Sequence, residues 1–398
     1  MVRPQSAGDR LKRVLIFSGL ALLVVSVSLV SVAQRYYSPR AQSSGLGDDP
    51  PLTIDTTRLS VSPDGKTIGF KYRSLTAAVG GAGLFEWQTG KLTRVDFLPL
   101  FFSTDGAQIG ALSDEGIALY DRASLERVRV VKAEPYVDAR QIGSLFLPLA
   151  IQPGNEAVLC RLVGSNEGLA IVDLRAGTHR ILVPPEDRTG FYSISWAGFV
   201  APDEIVFTAM GPRDGVLRAA LEDLGANVVA SPMPYRLKFG ELPRVAYQDI
   251  VRPYLALKQE KPPLLGEPPV VYGASRGGER VVAVGVPPEE FDRLRQDTKR
   301  RTAKLEQNSR RSGWAEILVI EQGAMRRVTH VDAYIGGAAI SYDGSTVAFG
   351  VYAKPLSEFN YEPALRRPFD VSIVDLNTGV VTETNLIERI AADASFAK

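Results

Sequence analysis

The chain has 398 residues, and its 46 Lys or Arg and 45 Asp or Glu give a formal net charge of only +1 at pH 7. This balance excludes a global field that would attract nucleic acid or an acidic surface. The single Cys and the two His are too few for a His/Cys zinc or iron–sulfur site, and one thiol cannot form an internal disulfide. The 36 Gly and 26 Pro suit a protein with many tight turns between short strands.

The N-terminal segment has the pattern of a membrane anchor. Residues 1–13 carry four basic residues and one acid, and residues 14–33 contain no charge. At a rise of about 1.5 Å per residue, such a helix spans a hydrocarbon core about 30 Å thick. We therefore predict one transmembrane signal-anchor over 14–33, with the basic tail 1–13 in the cytoplasm and the rest of the chain extracytoplasmic, either periplasmic or extracellular. A cleaved signal peptide is the alternative, because Ser31-Val32-Ala33 is similar to a small-residue cleavage site.

Residues 34–51, rich in Ser, Gly, Pro and Asp, are predicted to form a flexible stalk. A repeated pattern follows. Residues 59–70 read as an apolar strand, a turn at Asp64-Gly65 and a second strand. The pattern returns at 101–110 and 340–349, with looser copies before 157–159, 205–207 and 281–284. A second hairpin follows most copies, so each unit has four strands, and the first units recur at the spacing of a propeller blade.

A four-stranded sheet cannot bury both faces alone, so neighbouring sheets must stack around an axis. The fold class predicted here is all-β, a six-bladed β-propeller over residues 52–386 that follows the transmembrane helix. Seven blades are the alternative, because the Pro-rich segment 232–268 reads either as a long connection or as a degenerate extra blade. Residues 387–398 are predicted to be a C-terminal tail.

The segment Ser62-Pro63-Asp64-Gly65-Lys66 before an apolar strand, with Val374-Asp375-Leu376-Asn377-Thr378-Gly379 closing a unit, resembles the TolB-type propeller repeat. The resemblance covers roughly residues 52–385. It implies six blades and association with the bacterial cell envelope. It implies no particular partner, because the motif is a turn requirement and says almost nothing about function.

Two insertions, 287–313 and 352–370, are the candidate partner-binding segments. The first begins like a helix N-terminus and becomes basic; the second alternates aromatic residues with Pro and charges. Both occupy the same strand interval of adjacent units, which predicts that they lie on one face. The alternatives are a solvated helix laid over a blade and a segment packed against the blade rim. The candidate residues are Arg293, Arg295, Lys299, Arg300, Arg301, Lys304, Phe359, Tyr361, Arg366 and Arg367.

No catalytic motif is recognisable. The sequence lacks a phosphate loop, a dinucleotide-binding glycine pattern and a separate α/β-hydrolase stretch. The acids Asp64, Asp105 and Asp343 are explained by the turns in which they stand. We predict a non-enzymatic interaction platform in the cell envelope. It would bind protein partners and neither a cofactor nor nucleic acid. One form of this role is that of a subunit of a larger membrane complex. The alternative is a carbohydrate-active hydrolase that uses carboxylates in the central channel, and a calcium site also stays open.

Overall fold

The computed structural model describes residues 52–75, 80–132, 136–138, 141–163, 167–185, 191–212, 232–259, 268–293, 295, 315–331, 335–352 and 369–396. The predicted basic tail, signal-anchor and stalk, residues 1–51, lie outside this part of the chain. Among the described residues, no helix combines the length and the apolar character needed to cross a membrane.

The described residues form six antiparallel sheets, which follow one another along the chain. Sheet 1 contains β1 (Leu52–Ile54), β2 (Ser60–Val61), β3 (Thr67–Ser74), β4 (Gly80–Glu86) and β5 (Lys91–Val95). Sheet 2 contains β6 (Phe101–Phe102), β7 (Gln108–Ser113), β8 (Gly116–Asp121) and β9 (Arg127–Val131). Sheet 3 contains β10 (Tyr136–Asp138), β11 (Gln141–Ile151), β12 (Ala157–Val163), β13 (Gly168–Asp173) and β14 (His179–Val183).

Sheet 4 contains β15 (Phe191–Ala201), β16 (Glu204–Pro212), β17 (Pro232–Lys238) and β18 (Arg244–Val245). Helix α1 (Gln248–Gln259) follows it. Sheet 5 contains β19 (Val270–Ala274), β20 (Arg280–Gly285), β21 (Glu316–Glu321) and β22 (Ala324–Arg327). Sheet 6 contains β23 (Ile335–Ile340), β24 (Thr346–Tyr352), β25 (Phe369–Asp375) and β26 (Val381–Glu383), and helix α2 (Leu386–Ala392) comes last. Within each sheet the strands pair in chain order, except that β1 and β2 both pair with β3.

These sheets are the blades of a six-bladed β-propeller, as the repeat predicted. The strands β2, β6, β11, β15, β19 and β23 each contact their counterparts in the two neighbouring sheets, so they form the inner ring. Apolar side chains fill the space between consecutive sheets. Between sheets 3 and 4, for example, Leu159 packs in one cluster with Phe207 and Tyr235. Both faces of a sheet are thereby removed from water, which no single sheet achieves alone.

The repeated turn follows the inner strand of each sheet. It has the pattern Ser-x-Asp-Gly between β2 and β3 in sheet 1, between β6 and β7 in sheet 2, and between β23 and β24 in sheet 6. Its Gly adopts positive φ in each sheet, +69° at Gly65, +74° at Gly106 and +73° at Gly344, a conformation that favours glycine. Turns of neighbouring sheets also bond to each other, so the turns reinforce the ring. These bonds run from Asp343 N to Pro63 O (3.1 Å), Arg276 N to Tyr342 O (2.7 Å), Gln152 Nε2 to Pro202 O (2.6 Å) and Thr104 N to Asn155 Oδ1 (2.8 Å).

Sheets 1 and 6 close the ring without sharing a strand, since each is built from one end of the described chain. Thr53 Oγ1 in β1 accepts a hydrogen bond of 2.9 Å from Phe369 N in β25. Gly350 permits close approach, because a Cβ there would lie 2.0 Å from Thr56 Cγ2. A single apolar cluster joins sheet 1, sheet 6 and the C-terminal segment, and it includes Phe396.

Two segments differ from the sequence-based description. The segment 232–268 is not an extra blade: β17 and β18 complete sheet 4, α1 leads towards sheet 5, and residues 260–267 lie outside the described residues. Residues 387–398 were predicted to be a tail, whereas most of α2 falls there and Phe396 is only 2% exposed. Packing against the propeller therefore continues to the end of the described chain.

Candidate functional site

The inner ring of strands is uncharged. None of β2, β6, β11, β15, β19 and β23 contains Asp, Glu, Lys, Arg or His. In the part of the chain that the structure describes, no group of three or more His, Cys, Asp or Glu side chains is placed to hold a metal ion. Cys160 is buried in β12, where burial raises the pKa of its thiol. This thiol therefore stays protonated and packs as a small apolar side chain.

The acids of the three Ser-x-Asp-Gly turns are used within the turns. Ser62, Ser103 and Ser341 each donate their hydroxyl to the Asp two residues later, at 2.6, 2.6 and 2.5 Å. The same Ser hydroxyls accept backbone N–H groups five residues later, at 2.8 to 3.0 Å. Such bonds are typical of a turn, so turn geometry accounts for the Ser and the Asp at these positions.

The turn bonds have a measurable electrostatic consequence at Asp105. The hydrogen bond from Ser103 and that from Ala107 N lower the pKa of Asp105 below the ordinary value of an aspartate. Because the folded-state pKa is the lower one, this group stabilises the fold above the unfolded pKa, and the contribution disappears as the pH falls through the folded pKa.

Ser103→Ala is expected to raise the pKa of Asp105 towards the ordinary value of an aspartate and to cost about 1 kcal/mol, because the turn loses a buried hydroxyl that makes three hydrogen bonds. The carboxyl titration is followed by NMR, and stability by urea unfolding. Ser124→Ala is the comparison, since Ser124 bonds Asp121 in an exposed turn of the same sheet. An unchanged Asp105 titration would show that Ser103 does not hold this carboxylate.

Only two of the predicted partner-binding residues fall within the described part. A 3₁₀ turn covers Pro288–Glu290, and helical backbone continues at 291–293 and 295. Arg293 Nη1 lies 3.4 Å from Glu290 Oε2, and Arg295 Nη1 lies 2.8 Å from Asp292 Oδ1. The remaining candidates are outside the described residues: Lys299, Arg300, Arg301, Lys304, Phe359, Tyr361, Arg366 and Arg367. The structure thus places only the beginning of the basic segment, and the grouping of the ten candidates stays a prediction.

A buried polar network holds both ends of the basic insertion, and it was missed in the sequence. Glu316, 3% exposed at the start of β21, accepts from Arg327 Nη2 (2.7 Å), Thr329 Oγ1 (2.6 Å) and Val331 N (3.2 Å). Arg327 Nη1 also lies 3.0 Å from Glu290 Oε1. One guanidinium therefore joins an acid in the first turn of the insertion, Glu290, to the acid that follows the insertion, Glu316. The sequence signal that could have indicated this network is the acid Glu316, directly before the apolar strand 317–320.

The long insertions leave the sheets at equivalent places. Residues 286–315 connect β20 to β21, and 353–368 connect β24 to β25, so both join the second and third strands of their sheets. A third insertion, 213–231, joins β16 to β17 in sheet 4 and was not recognised in the sequence. In an antiparallel sheet these connections start at the end opposite the first turn. The strand ends that flank all three insertions therefore lie at the edge of the propeller away from the Ser-x-Asp-Gly turns.

On the turn side, a groove of about 530 Å³ lies between sheets 4 and 5. It is lined by Val200, Arg236, Tyr247, Gly278, Glu279, Ile320, Glu321, Gln322 and Gly323. Arg236 is bound by Glu204 through two hydrogen bonds of 2.7 and 3.0 Å. Burial raises the pKa of Tyr247, so its phenol stays neutral. No sequence signal pointed to this groove, because its residues come from separate segments.

No protein-family model matches the chain, and no curated protein matches it. Among solved structures it is similar to TolB from Acinetobacter baumannii, with 12% identity and a TM-score of 0.40 over 84% of this chain and 68% of that chain. It is similar to oligogalacturonate lyase from Vibrio parahaemolyticus, with 12% identity and a TM-score of 0.44 over 84% and 79%. The propeller domain of the Trilobed protease from Pyrococcus furiosus gives 11% and 0.40 over 84% of both chains. Similarity at this level shows the fold alone. The TolB-type resemblance is supported as a propeller fold and not as a function.

Proposed function

We propose that the protein is a membrane-anchored, extracytoplasmic propeller that serves as a non-catalytic protein-interaction platform in the cell envelope, as a subunit of a larger membrane complex. The proposal rests on a difference between the inner strands and the long insertions in the part of the chain that the structure describes. The inner ring strands have no charged side chain, whereas the long insertions leave one edge of three adjacent sheets. Propeller function commonly resides in such loops, because the strands are committed to packing.

The anchoring part of the proposal rests on the sequence. The uncharged stretch 14–33 after a basic tail favours a single membrane pass with the propeller outside the cytoplasm. A propeller anchored in this way diffuses in two dimensions and presents its loops to other envelope proteins. The stacked sheets resist deformation, so contacts at the anchored loop ends lose little ordering entropy on binding.

The basic insertion is the first segment to test. Arg327 binds Glu290 near the start of this insertion and Glu316 directly after it, so the two ends of the insertion are held together. The chemistry that such charges recognise is an acidic protein surface. Charge complementarity of this kind mainly sets association rate and partner choice.

The experiment compares partner recovery from membranes in mild detergent after crosslinking. A variant with Lys299, Arg300, Arg301 and Lys304 all changed to Gln is expected to recover about tenfold less of its main partner, the equivalent of about 1.4 kcal/mol. The matched control changes four exposed basic residues elsewhere, Lys66, Lys91, Lys238 and Arg252, to Gln and is expected to keep the partner. An identical partner list for the two variants would refute the role of the insertion. Hydrolysis of a polysaccharide by the purified protein would refute the non-catalytic platform.

A further inference from the structure

The groove between sheets 4 and 5 lies on the turn side of the propeller, away from the insertion ends. Its base is made by two sheets in direct contact, because Gly278 lets the turn of sheet 5 lie against sheet 4. A Cβ at Gly278 would lie 2.7 Å from Val200 Cβ. Val200 and Ile320 are 3% and 4% exposed, so these apolar side chains are covered and offer a ligand little surface. Selection of a ligand by this groove therefore depends on its polar walls.

The wall from sheet 4 carries two arginines that share one acid. Arg236 Nε and Nη2 donate to the two carboxylate oxygens of Glu204 at 2.7 and 3.0 Å. Arg244 Nη2 lies 3.7 Å from the same carboxylate, and its side chain is 66% exposed. Both guanidinium groups stay charged, and one carboxylate neutralises only one of them. This wall therefore keeps a net positive charge at the surface.

The wall from sheet 5 repeats this arrangement. Arg280 Nε lies 3.1 Å from Glu321 Oε1, and Arg326 Nε lies 3.7 Å from Oε2 of the same residue. Glu279 adds one acid at the rim, where it is exposed to solvent that screens its charge. Even with Glu279 included, four arginines stand against three acids around the groove. The charges therefore favour an anionic ligand.

The groove also offers hydrogen-bond donors for an anion. Tyr247 lines it with a backbone φ of +53°, which is unusual for a residue other than glycine and is a kind of strain found at binding sites. Burial raises the pKa of the Tyr247 phenol, so its hydroxyl keeps the proton and can donate it to an acceptor. Among the described residues, neither this hydroxyl nor Arg236 Nη1 has a hydrogen-bond partner. Both donors are therefore available to a ligand in the groove.

We propose that this groove binds an acidic segment of a partner polypeptide, with its carboxylates bound by Arg244, Arg326 and the Tyr247 hydroxyl. Guanidinium groups bind carboxylates through paired, charge-assisted hydrogen bonds, which are stronger than bonds between neutral groups. The volume of about 530 Å³ admits an acidic side chain together with its flanking backbone. A basic segment would be repelled by the surplus of arginines, so the groove discriminates by charge. The inference rests on the proposed function only in assuming a protein partner, and it concerns a surface that the basic insertion does not share.

The test uses the full-length protein in detergent and two fluorescent peptides, Gly-Glu-Ser-Glu-Gly and Gly-Gln-Ser-Gln-Gly, which have nearly the same shape and differ in charge. Binding is measured by fluorescence anisotropy. The Glu peptide is expected to bind about tenfold more tightly than the Gln peptide. The double variant Arg244→Gln with Arg326→Gln is expected to remove most of this difference. The matched control, Arg127→Gln with Arg175→Gln, removes two exposed arginines from sheets 2 and 3 and is expected to leave the difference unchanged.

A crosslinking arm locates the peptide. Gln322→Cys places a thiol at the groove, and Cys160, which is 0% exposed, stays unlabelled by a benzophenone maleimide. The Glu peptide is expected to crosslink to this labelled protein and the Gln peptide much less. Equal binding of both peptides, or a preference for the Glu peptide that survives the groove double variant or falls equally in the control, would overturn the proposal. These results are independent of partner recovery through residues 299–304, so failure of one proposal is distinguishable from failure of the other.

Discussion

Phe396→Ala is expected to lower the free energy of unfolding by about 3–5 kcal/mol, the usual cost of removing a buried aromatic side chain. The ring of Phe396 lies 6.4 Å from that of Phe70 and 5.5 Å from that of Tyr72, measured between centroids. Tyr72 Oη donates to Phe396 O at 3.1 Å, and Arg94 Nη1 donates to Ser395 O at 2.7 Å. The C-terminal segment is therefore packed and hydrogen-bonded to sheet 1.

The effect is large because of the way the ring closes. Sheets 1 and 6 share no strand, so no ladder of backbone hydrogen bonds joins the two ends of the described chain. Helix α2 follows sheet 6, and its Leu386 and Ile390 lie in the same apolar cluster as Phe70 and Phe396. This segment therefore supplies apolar contacts between the first and the last sheet. Weakening it weakens the contact between the first and last sheets.

The measurement is urea unfolding followed by tryptophan fluorescence and by circular dichroism. The control is Val380→Ala, because Val380 is 59% exposed in the last turn of sheet 6, and its loss is expected to change stability by less than about 0.5 kcal/mol. If Phe396→Ala and Val380→Ala unfold at the same urea concentration, the C-terminal segment does not stabilise the closure.

Glu316→Ala is also expected to lower the free energy of unfolding by about 3–5 kcal/mol. Removing one partner of a buried ion pair leaves the other charge uncompensated. The side chain of Arg327 is 17% exposed and that of Glu316 is 4% exposed. Burial opposes the charged form of Arg327, yet the hydrogen bonds to Glu316 and Glu290 raise its pKa above the ordinary value of a guanidinium. The guanidinium therefore stays charged in the variant and keeps only Glu290 as an acidic partner.

Two further variants distinguish the cost of an uncompensated buried charge from the cost of losing an exposed ion pair. Glu86→Ala removes an acid from an exposed pair with Lys91 at 3.2 Å and is expected to cost less than about 1 kcal/mol. The double variant Glu316→Leu with Arg327→Met removes both charges and is expected to be more stable than Glu316→Ala, because no unpaired charge remains. Equal losses for Glu316→Ala and Glu86→Ala would contradict the buried network.

Several structural features were predictable from local sequence. The turn pattern at Asp64, Asp105 and Asp343 predicted hairpins whose Asp and Gly serve backbone geometry, and the hydrogen bonds confirm it. The strand interval of the two predicted insertions could also be read from the repeat, because sequence order within a sheet equals strand order.

Other features depend on residues that are distant in sequence. The groove joins Val200 to Glu279 and Glu321, and the network at Glu316 depends on Arg327 and Glu290. The third insertion, 213–231, was missed because sheet 4 follows the repeat pattern only loosely and its third strand, β17, lies in a Pro-rich segment. The number of blades stayed open for the same reason, since β17 and β18 lie in a Pro-rich segment with no repeat pattern.

The sequence by itself determined the strands, their turns and the need for sheets to stack, because these follow from periodicity and from local backbone chemistry. Only the tertiary structure decided how the ring closes, which charges are neutralised and where a groove remains. Each of these depends on which side chains meet across neighbouring sheets, and contacts between distant segments leave no local pattern in a single sequence.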